Sequence, residues 1–239
     1  AELESMARAA NAMRINGIDI DILDRDATLR EVPLLNAGID TRWPVLGSLL
    51  QRRAGVARHD AVAWGYARAA DSLGVHIIQN CEVTGFDIQS RRMVAVETSR
   101  GRIAADRFGM AVAGHSGVLA QMSGFRLPLQ SYTLQAMVSE PIKPCLHQVV
   151  SSSSHGAYVS QSDKGELVMG GGLDRSPSYA QRGGFLVTQS VVAPLIEMLP
   201  AFASLKVMRQ WGGIVDTSPD NSPVIGPAPL EGLYLDCGW

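Results

Sequence analysis

The sequence of 239 residues predicts a mixed α/β (α+β) fold, and three observations support this prediction. Apolar residues recur at helical spacing in three long segments, near residues 1–16, 61–73 and 183–199. Short runs rich in branched residues lie between them, bounded by turn signals that are typical of antiparallel strands. Helices and strands are mixed along the chain without an internal repeat, and the length of 239 residues indicates one or two domains.

The helices are predicted from apolar spacing and from the residues that end them. In residues 1–16 the apolar residues stand three and four positions apart, and Gly17 follows as a stop signal. Asp26 is a candidate N-cap for a brief helix that ends before Pro33. A clear amphipathic helix spans roughly Ala61–Leu73, and another spans Gly183–Leu199, just before Pro200.

The remaining apolar runs predict strands. Ser162–Gly165 is a good hairpin turn between two of them, and Val75–Ile78 is an apolar, branched segment that leads into the first group. The predicted strands are Ile18–Leu23, Glu82–Ile88, Met93–Thr98, a short strand at Ile103, Arg107–Ala113, Gln130–Ser139, Ala157–Gln161, Leu167–Gly170, Val207–Val215 and Leu233–Cys237.

Composition excludes several classes of protein. With 46% hydrophobic residues and a formal net charge of −2, the chain is neither disordered nor a typical nucleic-acid binder. It has no apolar run long enough to span a membrane. Cys81, Cys145 and Cys237 lie far apart, which fits neither a disulfide framework nor a zinc site. We therefore expect a cytoplasmic protein whose thiols are reduced and act as small buried hydrophobes.

His59 is the first candidate for chemistry, because Arg58-His59-Asp60 leads directly into a helix. An imidazole at this place can be a general base, a metal ligand or a nucleophile towards an electrophilic cofactor. Alternatively, His59 or Asp60 simply caps the helix. The other histidines are scattered without a carboxylate at metal-binding spacing, so no metal site is predicted.

Three glycine-rich segments are candidates for close approach of backbone to a ligand. Gly114–Gly117 is a tight strand-to-helix turn whose N–H groups can face a phosphate. Gly170–Gly172 ends a strand, where either a flat ligand or a bulge accounts for the missing side chains. Gly212–Gly213 gives a stronger signal, because a rigid loop with two prolines, Thr217–Gly226, follows it.

These segments carry a family resemblance. Trp211–Gly226 resembles the flavin-side signature of the D-amino-acid-oxidase-like FAD oxidoreductases. Ser178–Gly183, Arg58–Asp60 and Tyr234–Trp239 more narrowly resemble the beta-subunit family of heterotetrameric sarcosine oxidases, along almost the whole chain. The resemblance implies part of a two-domain FAD oxidoreductase with an antiparallel substrate-side sheet and an incomplete FAD-binding domain. The implied domains are residues 1–125 and 207–239 for FAD and 126–206 for the substrate side.

The resemblance also implies roles for individual residues. His59 falls on the histidine that carries covalent FMN, and Tyr158 and Gly171 fall on strands that line the substrate side and are candidate catalytic positions. The positions implied for noncovalent FAD are Val83 at the adenine end, Ala113 and Gly114 near the phosphates, and Gly213 and Ile214 along the isoalloxazine ring.

The implied reaction is the oxidative demethylation of sarcosine to glycine. Electrons would pass from FAD to FMN and then to oxygen, giving hydrogen peroxide, in a hetero-oligomer with other subunits. Two alternatives stay open: an FAD-dependent amino-acid or dimethylglycine dehydrogenase without covalent FMN, and a non-catalytic subunit or scaffold of the same fold.

The sequence departs from the family pattern at both ends. The Gly-x-Gly-x-x-Gly unit that holds the FAD pyrophosphate is absent, and the family continues past Cys237-Gly238-Trp239 into a Gly-rich segment with a lysine near the flavin. We therefore expect an internal piece of a longer subunit that is inactive on its own.

Overall fold

A computed structural model describes residues 2–239, and these fold into two compact, discontinuous units. Unit 1 comprises the residues up to 57, 135–172 and 182–211, and unit 2 comprises 58–134, 173–181 and 212–239. The predicted division into FAD-binding and substrate-side domains stays a prediction. The α-helices are α1 (Glu2–Ile15), α2 (Arg25–Glu31), α3 (His59–Ser72), α4 (Ser116–Met122) and α5 (Phe185–Met198).

The strands are short, as the turn signals predicted. They are β1 (Asp21–Asp24), β2 (Gly47–Leu50), β3 (Val83–Gln89), β4 (Arg92–Thr98), β5 (Gly101–Ala104), β6 (Phe108–Met110), β7 (Gln130–Pro141), β8 (Val150–Ser152), β9 (Ala157–Gln161), β10 (Glu166–Leu173), β11 (Val207–Thr217), β12 (Val224–Pro227) and β13 (Leu233–Cys237).

Most of a five-stranded sheet, in the order β11-β7-β10-β9-β8, lies in unit 1. The helix α5 packs its buried residues Val191, Leu195 and Met198 into the same core as Met137 and Leu167 of the sheet. The predicted helix at Gly183–Leu199 is thus confirmed, and it ends where Pro200 begins a 3-10 turn.

The N-terminal part of unit 1 contains the hairpin of β1 and β2, with Asp21 opposite Leu50. Asp24, rather than the predicted Asp26, caps α2, because its Oδ1 accepts a hydrogen bond of 2.8 Å from the Ala27 N–H. The prediction missed β2, since Gly47–Leu50 lies in a loop-rich stretch without alternating polarity.

Unit 2 contains two small sheets. The meander β3-β4-β5 confirms the predicted antiparallel group. In the second sheet, β13 pairs antiparallel with β12 and parallel with β6, around a core of Met93, Met110, Leu233, Leu235 and Cys237. The predicted strand Arg107–Ala113 is shorter than expected, because only Phe108–Met110 pairs with β13.

The helix α3 differs from the others, because none of its 14 residues is buried. Trp64 and Tyr66 are exposed, and so is the apolar segment Val75–Ile78, which forms no strand. Apolar residues at helical spacing normally face a core. The exposed apolar face of α3 is therefore a surface on which another polypeptide segment can pack. In the described part of the chain, no helix has the length and apolar character needed to cross a membrane.

Candidate functional site

A tight turn in unit 2 lies between β6 and α4. Residues Ala113–His115 form one turn of 3-10 helix, and Ala113 has a φ of +45°, a left-handed conformation that is uncommon for a residue with a side chain. Gly114 is buried, and a Cβ there would stand 2.2 Å from Cγ2 of Ile214. Only glycine therefore allows the turn to pack against β11, which brings four predicted cofactor residues, Ala113, Gly114, Gly213 and Ile214, into one place.

Two buried serines hold the carbonyl groups of this turn. The Ser116 hydroxyl donates to the Ala113 carbonyl at 2.5 Å, and the Ser131 hydroxyl donates to the Gly114 carbonyl at 2.5 Å. In a trans peptide the N–H of Gly114 points away from the Ala113 carbonyl, and we find no acceptor for it among residues 2–239. The turn thus presents a free backbone donor of the kind that binds phosphate.

The two glycines of β11 differ in their surroundings. A Cβ on Gly212 would lie 2.5 Å from Cγ2 of Thr133, and the Gly212 N–H donates to the Gln181 carbonyl at 3.1 Å. Gly213 is exposed, and a Cβ there would meet no atom of the described residues within 4 Å. The open side of β11 at Gly213 therefore suits the close approach of a flat ring.

The loop after β11 is held by its own polar side chains. The Ser222 N–H donates to Ser218 Oγ at 2.8 Å and to Asp220 Oδ1 at 3.1 Å, and the Ser218 hydroxyl donates to the same carboxylate at 3.2 Å. The Ser222 N–H, followed by the Ser218 hydroxyl, lowers the pKa of Asp220.

Behind the turn, Cys237 is fully buried and acts as a structural residue. Burial, followed by the charge of Asp216, raises the pKa of the Cys237 thiol, so it stays protonated at neutral pH. Asp216 in turn accepts a hydrogen bond of 2.9 Å from the Gly238 N–H. Cys145 is exposed, so the expectation that all three thiols are buried was wrong, since Cys145 lies in the loop after β7.

His59 is the first residue of α3 and is exposed. The N-cap position belongs to Arg58, which makes no side-chain capping bond, while the Asp60 carboxylate accepts from the Ala61 N–H at 2.9 Å. The alternative in which His59 caps the helix is therefore excluded. We find no hydrogen bond to its imidazole and no group of potential metal ligands in the described residues, so the ring is accessible for chemistry.

Val83 begins β3 and pairs with Thr98 of β4 at the end of the meander. The pairing shifts register between Val83 and Gly85, so the ladder is irregular at this end. The structure places Val83 in unit 2, on a different element from the Gly114 turn.

Tyr158 and Gly171 lie in unit 1, on the neighbouring strands β9 and β10. A Cβ on Gly170 would stand 2.5 Å from the Tyr158 hydroxyl oxygen, and a Cβ on Gly171 would stand 2.1 Å from the Gly156 carbonyl oxygen. Pairing with β9 is regular as far as Gly170, and packing within the hairpin accounts for Gly170 and Gly171. Gly172 has a φ of +67°, a left-handed conformation that favours glycine.

The sequence analysis missed Ser116, Ser131 and Tyr179, whose hydroxyl donates to Ser131 Oγ at 3.3 Å. No sequence signal pointed to Ser131. In the fold, the buried positions along β7 alternate and several of them are polar, which is unusual for a strand face that points into a core. They are Ser131, Thr133, Gln135 and Ser139.

Residues 1–239 match the family described as FAD dependent oxidoreductase (DAO). The chain belongs to this family. It is 49% identical to "Sarcosine oxidase subunit beta" of Rhizobium meliloti (strain 1021), over the whole chain and 57% of that protein. Identity to the protein of the same name from an Arthrobacter species is 47%, over the whole chain and 59% of that protein.

Solved DAO-type structures share the fold. An L-proline dehydrogenase from P. horikoshii superposes with a TM-score of 0.91 at 24% identity, covering 99% of this chain and 63% of that one. Glycine oxidase from Geobacillus kaustophilus gives a TM-score of 0.85 at 20% identity, covering 99% of this chain and 62% of that one. This chain therefore spans less than two thirds of the length of these relatives. The superpositions confirm the predicted fold class, a mixed α/β DAO-like oxidoreductase fold.

Membership in the DAO family implies FAD, and the turn in unit 2 fits it. Gly114 and Ala113 offer backbone to an anionic group, and Gly213 leaves the face of β11 open for a planar ring. The turn keeps this conformation without FAD, because the buried serines bind its carbonyl groups and Ile214 packs against Gly114.

Proposed function

We propose that the protein containing this chain oxidises the secondary amine sarcosine. Sarcosine, water and oxygen would yield glycine, formaldehyde and hydrogen peroxide. The sequence identity of 49% to a sarcosine oxidase beta subunit supports this substrate over the amino acids named for more distant relatives, such as a D-amino acid dehydrogenase at 27% identity. Bound FAD would supply the chemistry by accepting a hydride from the N-methyl carbon of the amine.

The packing of Gly114 on Ile214 beside the open Gly213 is the observation that carries the proposal. In our proposal the Gly114 N–H binds the phosphate side of FAD, and Gly213 and Ile214 form the surface under the ring. The backbone of Val83 contacts the adenine end. Each of these groups would position the cofactor without taking part in proton transfer.

Tyr158 and Gly171 are proposed to line the substrate side. The Tyr158 ring already packs over Gly170, so its hydroxyl would orient the amine from a fixed position. Tyr158→Phe should raise KM for sarcosine by a few fold with kcat little changed, because it removes one hydrogen bond to the substrate. A change in kcat alone would argue against this role.

We further propose that His59 carries FMN through a covalent bond and that electrons reach oxygen there. The exposed imidazole, which neither caps α3 nor hydrogen-bonds within the described chain, supports this assignment. His59→Asn in the full-length protein should abolish flavin that stays with the denatured polypeptide, while noncovalent FAD remains. His76→Asn is the matched control, since His76 is also exposed in unit 2. Denaturation-resistant flavin in His59→Asn would contradict the proposal.

A hetero-oligomer is proposed for the same protein, because the relatives at 47–49% identity are named as subunits. Exposed apolar residues support further packing partners, among them Phe185 and Leu186 at the start of α5, which are 80% and 79% exposed.

Anaerobic reduction by sarcosine tests the proposed reaction. The visible flavin absorbance of the full-length protein should bleach when sarcosine is added without oxygen and return when air is admitted. Bleaching by D-amino acids or dimethylglycine, but not by sarcosine, would favour the related dehydrogenase. A full-length protein without any flavin would favour the scaffold alternative.

A further inference from the structure

Unit 2 contains an open cavity of about 260 Å³ on the side of α4 that faces the start of β7. Its volume lies below the roughly 300–1,000 Å³ of pockets for drug-sized ligands, so it suits a molecule of a few heavy atoms. The cavity is lined by Gly117, Val118, Gln121, Arg126, Leu127, Leu129, Ser131 and Tyr179.

Arg126 is the one charged residue of this lining. Its side chain is exposed, and we find no ion pair or hydrogen bond to its guanidinium among residues 2–239. A guanidinium offers paired N–H donors that match the two oxygens of a carboxylate. Because no acidic residue lines the cavity, the positive charge is not compensated within the site.

The rest of the lining separates into a polar wall and an apolar wall. Tyr179 donates its hydroxyl hydrogen to Ser131 Oγ at 3.3 Å, and Gln121 supplies an amide. Val118, Leu127 and Leu129 provide the apolar side, and Leu127 and Leu129 also pack against the core of unit 2. A ligand that fits has one charged end and a short aliphatic body.

We propose that this cavity binds a small aliphatic monocarboxylate, with the carboxylate on Arg126 and the alkyl group against Val118 and Leu129. A zwitterionic amino acid is disfavoured, because its ammonium group would be partly desolvated without a carboxylate partner. The site is therefore chemically distinct from one that selects amino acids, and it does not depend on the proposed flavin chemistry.

A hydrogen bond also connects the lining of the cavity to the turn at Ala113–His115. Ser131 lines the cavity and donates to the Gly114 carbonyl at 2.5 Å. The Tyr179 ring lies 5.2 Å from the His115 ring, centroid to centroid. A ligand in the cavity thus contacts side chains that hold the turn.

Calorimetric titration of the full-length, FAD-loaded protein tests the proposal, with isobutyrate, isobutyramide and valine as probes. Isobutyrate should bind at least about tenfold more tightly than either of the other probes. Isobutyramide lacks the negative charge that pairs with the guanidinium, and valine carries an additional ammonium group. Arg126→Gln should weaken isobutyrate by a similar factor. Arg107→Gln, an exposed arginine of unit 2 outside the lining, should leave it unchanged.

A second variant keeps the test informative if Arg126→Gln fails to fold. Val118→Trp fills the cavity from α4 without altering its charge, and Val118 is 40% exposed, so the larger side chain can be accommodated at the surface. It should also abolish isobutyrate binding. Isobutyrate binding that survives both variants, or equal binding of acid and amide, would overturn the proposal. Failure of sarcosine to reduce the flavin would leave it standing.

Discussion

The glycine runs of β10 and β11 look alike in the sequence, but their residues have different reasons to be glycine. In β10, side chains on Gly170 and Gly171 would collide with the Tyr158 hydroxyl and the Gly156 carbonyl of the same hairpin. In β11, Gly212 is equally crowded by Thr133, but its neighbour Gly213 faces open space.

This difference distinguishes glycines that packing within the chain requires from a glycine that it does not require. Gly170, Gly171 and Gly212 are explained by atoms of this chain, so they say nothing about a ligand. Gly213 has an ordinary backbone conformation and an empty neighbourhood, so the chain itself would accept a side chain there. No atom of the described residues explains its missing side chain, which fits our proposal that a flat ring approaches this strand.

Replacement of Gly171 by alanine is expected to have the largest effect. The new Cβ would lie 2.1 Å from the Gly156 carbonyl oxygen and 2.9 Å from the Ala157 Cα, and both neighbours are backbone atoms that cannot turn away. We expect the free energy of unfolding to fall by about 3 kcal/mol, at the upper end of overpacking effects. Urea denaturation measures this change, and an effect below about 1 kcal/mol would refute the packing explanation.

Gly213→Val should show the opposite behaviour. The stability of the protein should change by no more than about 0.5 kcal/mol, as for other surface substitutions. FAD affinity of the full-length protein should fall at least about tenfold, because in our proposal the side chain would occupy the space under the ring. Fluorescence titration with FAD measures the affinity.

Gly109→Val is the matched control for this prediction. Gly109 is an exposed strand glycine of unit 2 whose Cβ would also meet nothing within 4 Å. It should leave FAD affinity unchanged. Equal losses in both variants would mean that Gly213 has no special place in the FAD site.

The sequence predicted the elements well, because helix and strand periodicities are local properties. The amphipathic pattern predicted both α3 and α5, yet among the described residues α5 packs into a core and α3 does not. Periodicity indicates that a face is apolar but not what covers it. For the same reason Val75–Ile78, which is apolar and branched, has no strand to pair with in the described residues.

The site was only partly predictable. The glycine segments and the family resemblance pointed to Ala113, Gly114 and Gly213, which stay predictions as cofactor residues. The serines behind them were not predicted, because they meet the turn only after β7 is placed. Ser131 is 17 residues from Gly114 along the chain and hydrogen-bonds to it in the fold. Contacts of this kind depend on strand order, which residue spacing does not encode.

Ser131→Ala tests whether the hydrogen bond from Ser131 to the Gly114 carbonyl is needed to position the turn for FAD. Loss of the hydroxyl leaves the Gly114 carbonyl without that donor, so we expect FAD affinity to fall about threefold to fivefold, within the net value of about 0.5–1.5 kcal/mol for one hydrogen bond. Ser123→Ala is the control, since the buried hydroxyl of Ser123, the residue after α4, donates to the Leu119 carbonyl at 2.8 Å, away from the turn. Similar FAD affinities in the two variants would contradict a positioning role.

Asp220 should give the smallest effect, because it acts on the loop that follows Gly213. Its pKa is lowered from the ordinary value of 3.8, first by the Ser222 N–H and then by the Ser218 hydroxyl, so the ionised form stabilises the folded loop. This contribution is fully present above the unfolded pKa and is lost as the pH falls through the lower, folded pKa.

Urea denaturation from about pH 5 to about pH 2.5 should therefore show a flatter decline in stability for Asp220→Asn than for the unsubstituted protein. The variant should be slightly less stable at pH 5, and the difference should shrink as the pH falls and Asp220 is protonated in the folded state. Asp40→Asn, which removes an exposed carboxylate of unit 1, should keep the original slope. An unchanged slope in Asp220→Asn would mean that the loop is held by its prolines and Ser218 alone, and that the open face at Gly213 needs no carboxylate to support it.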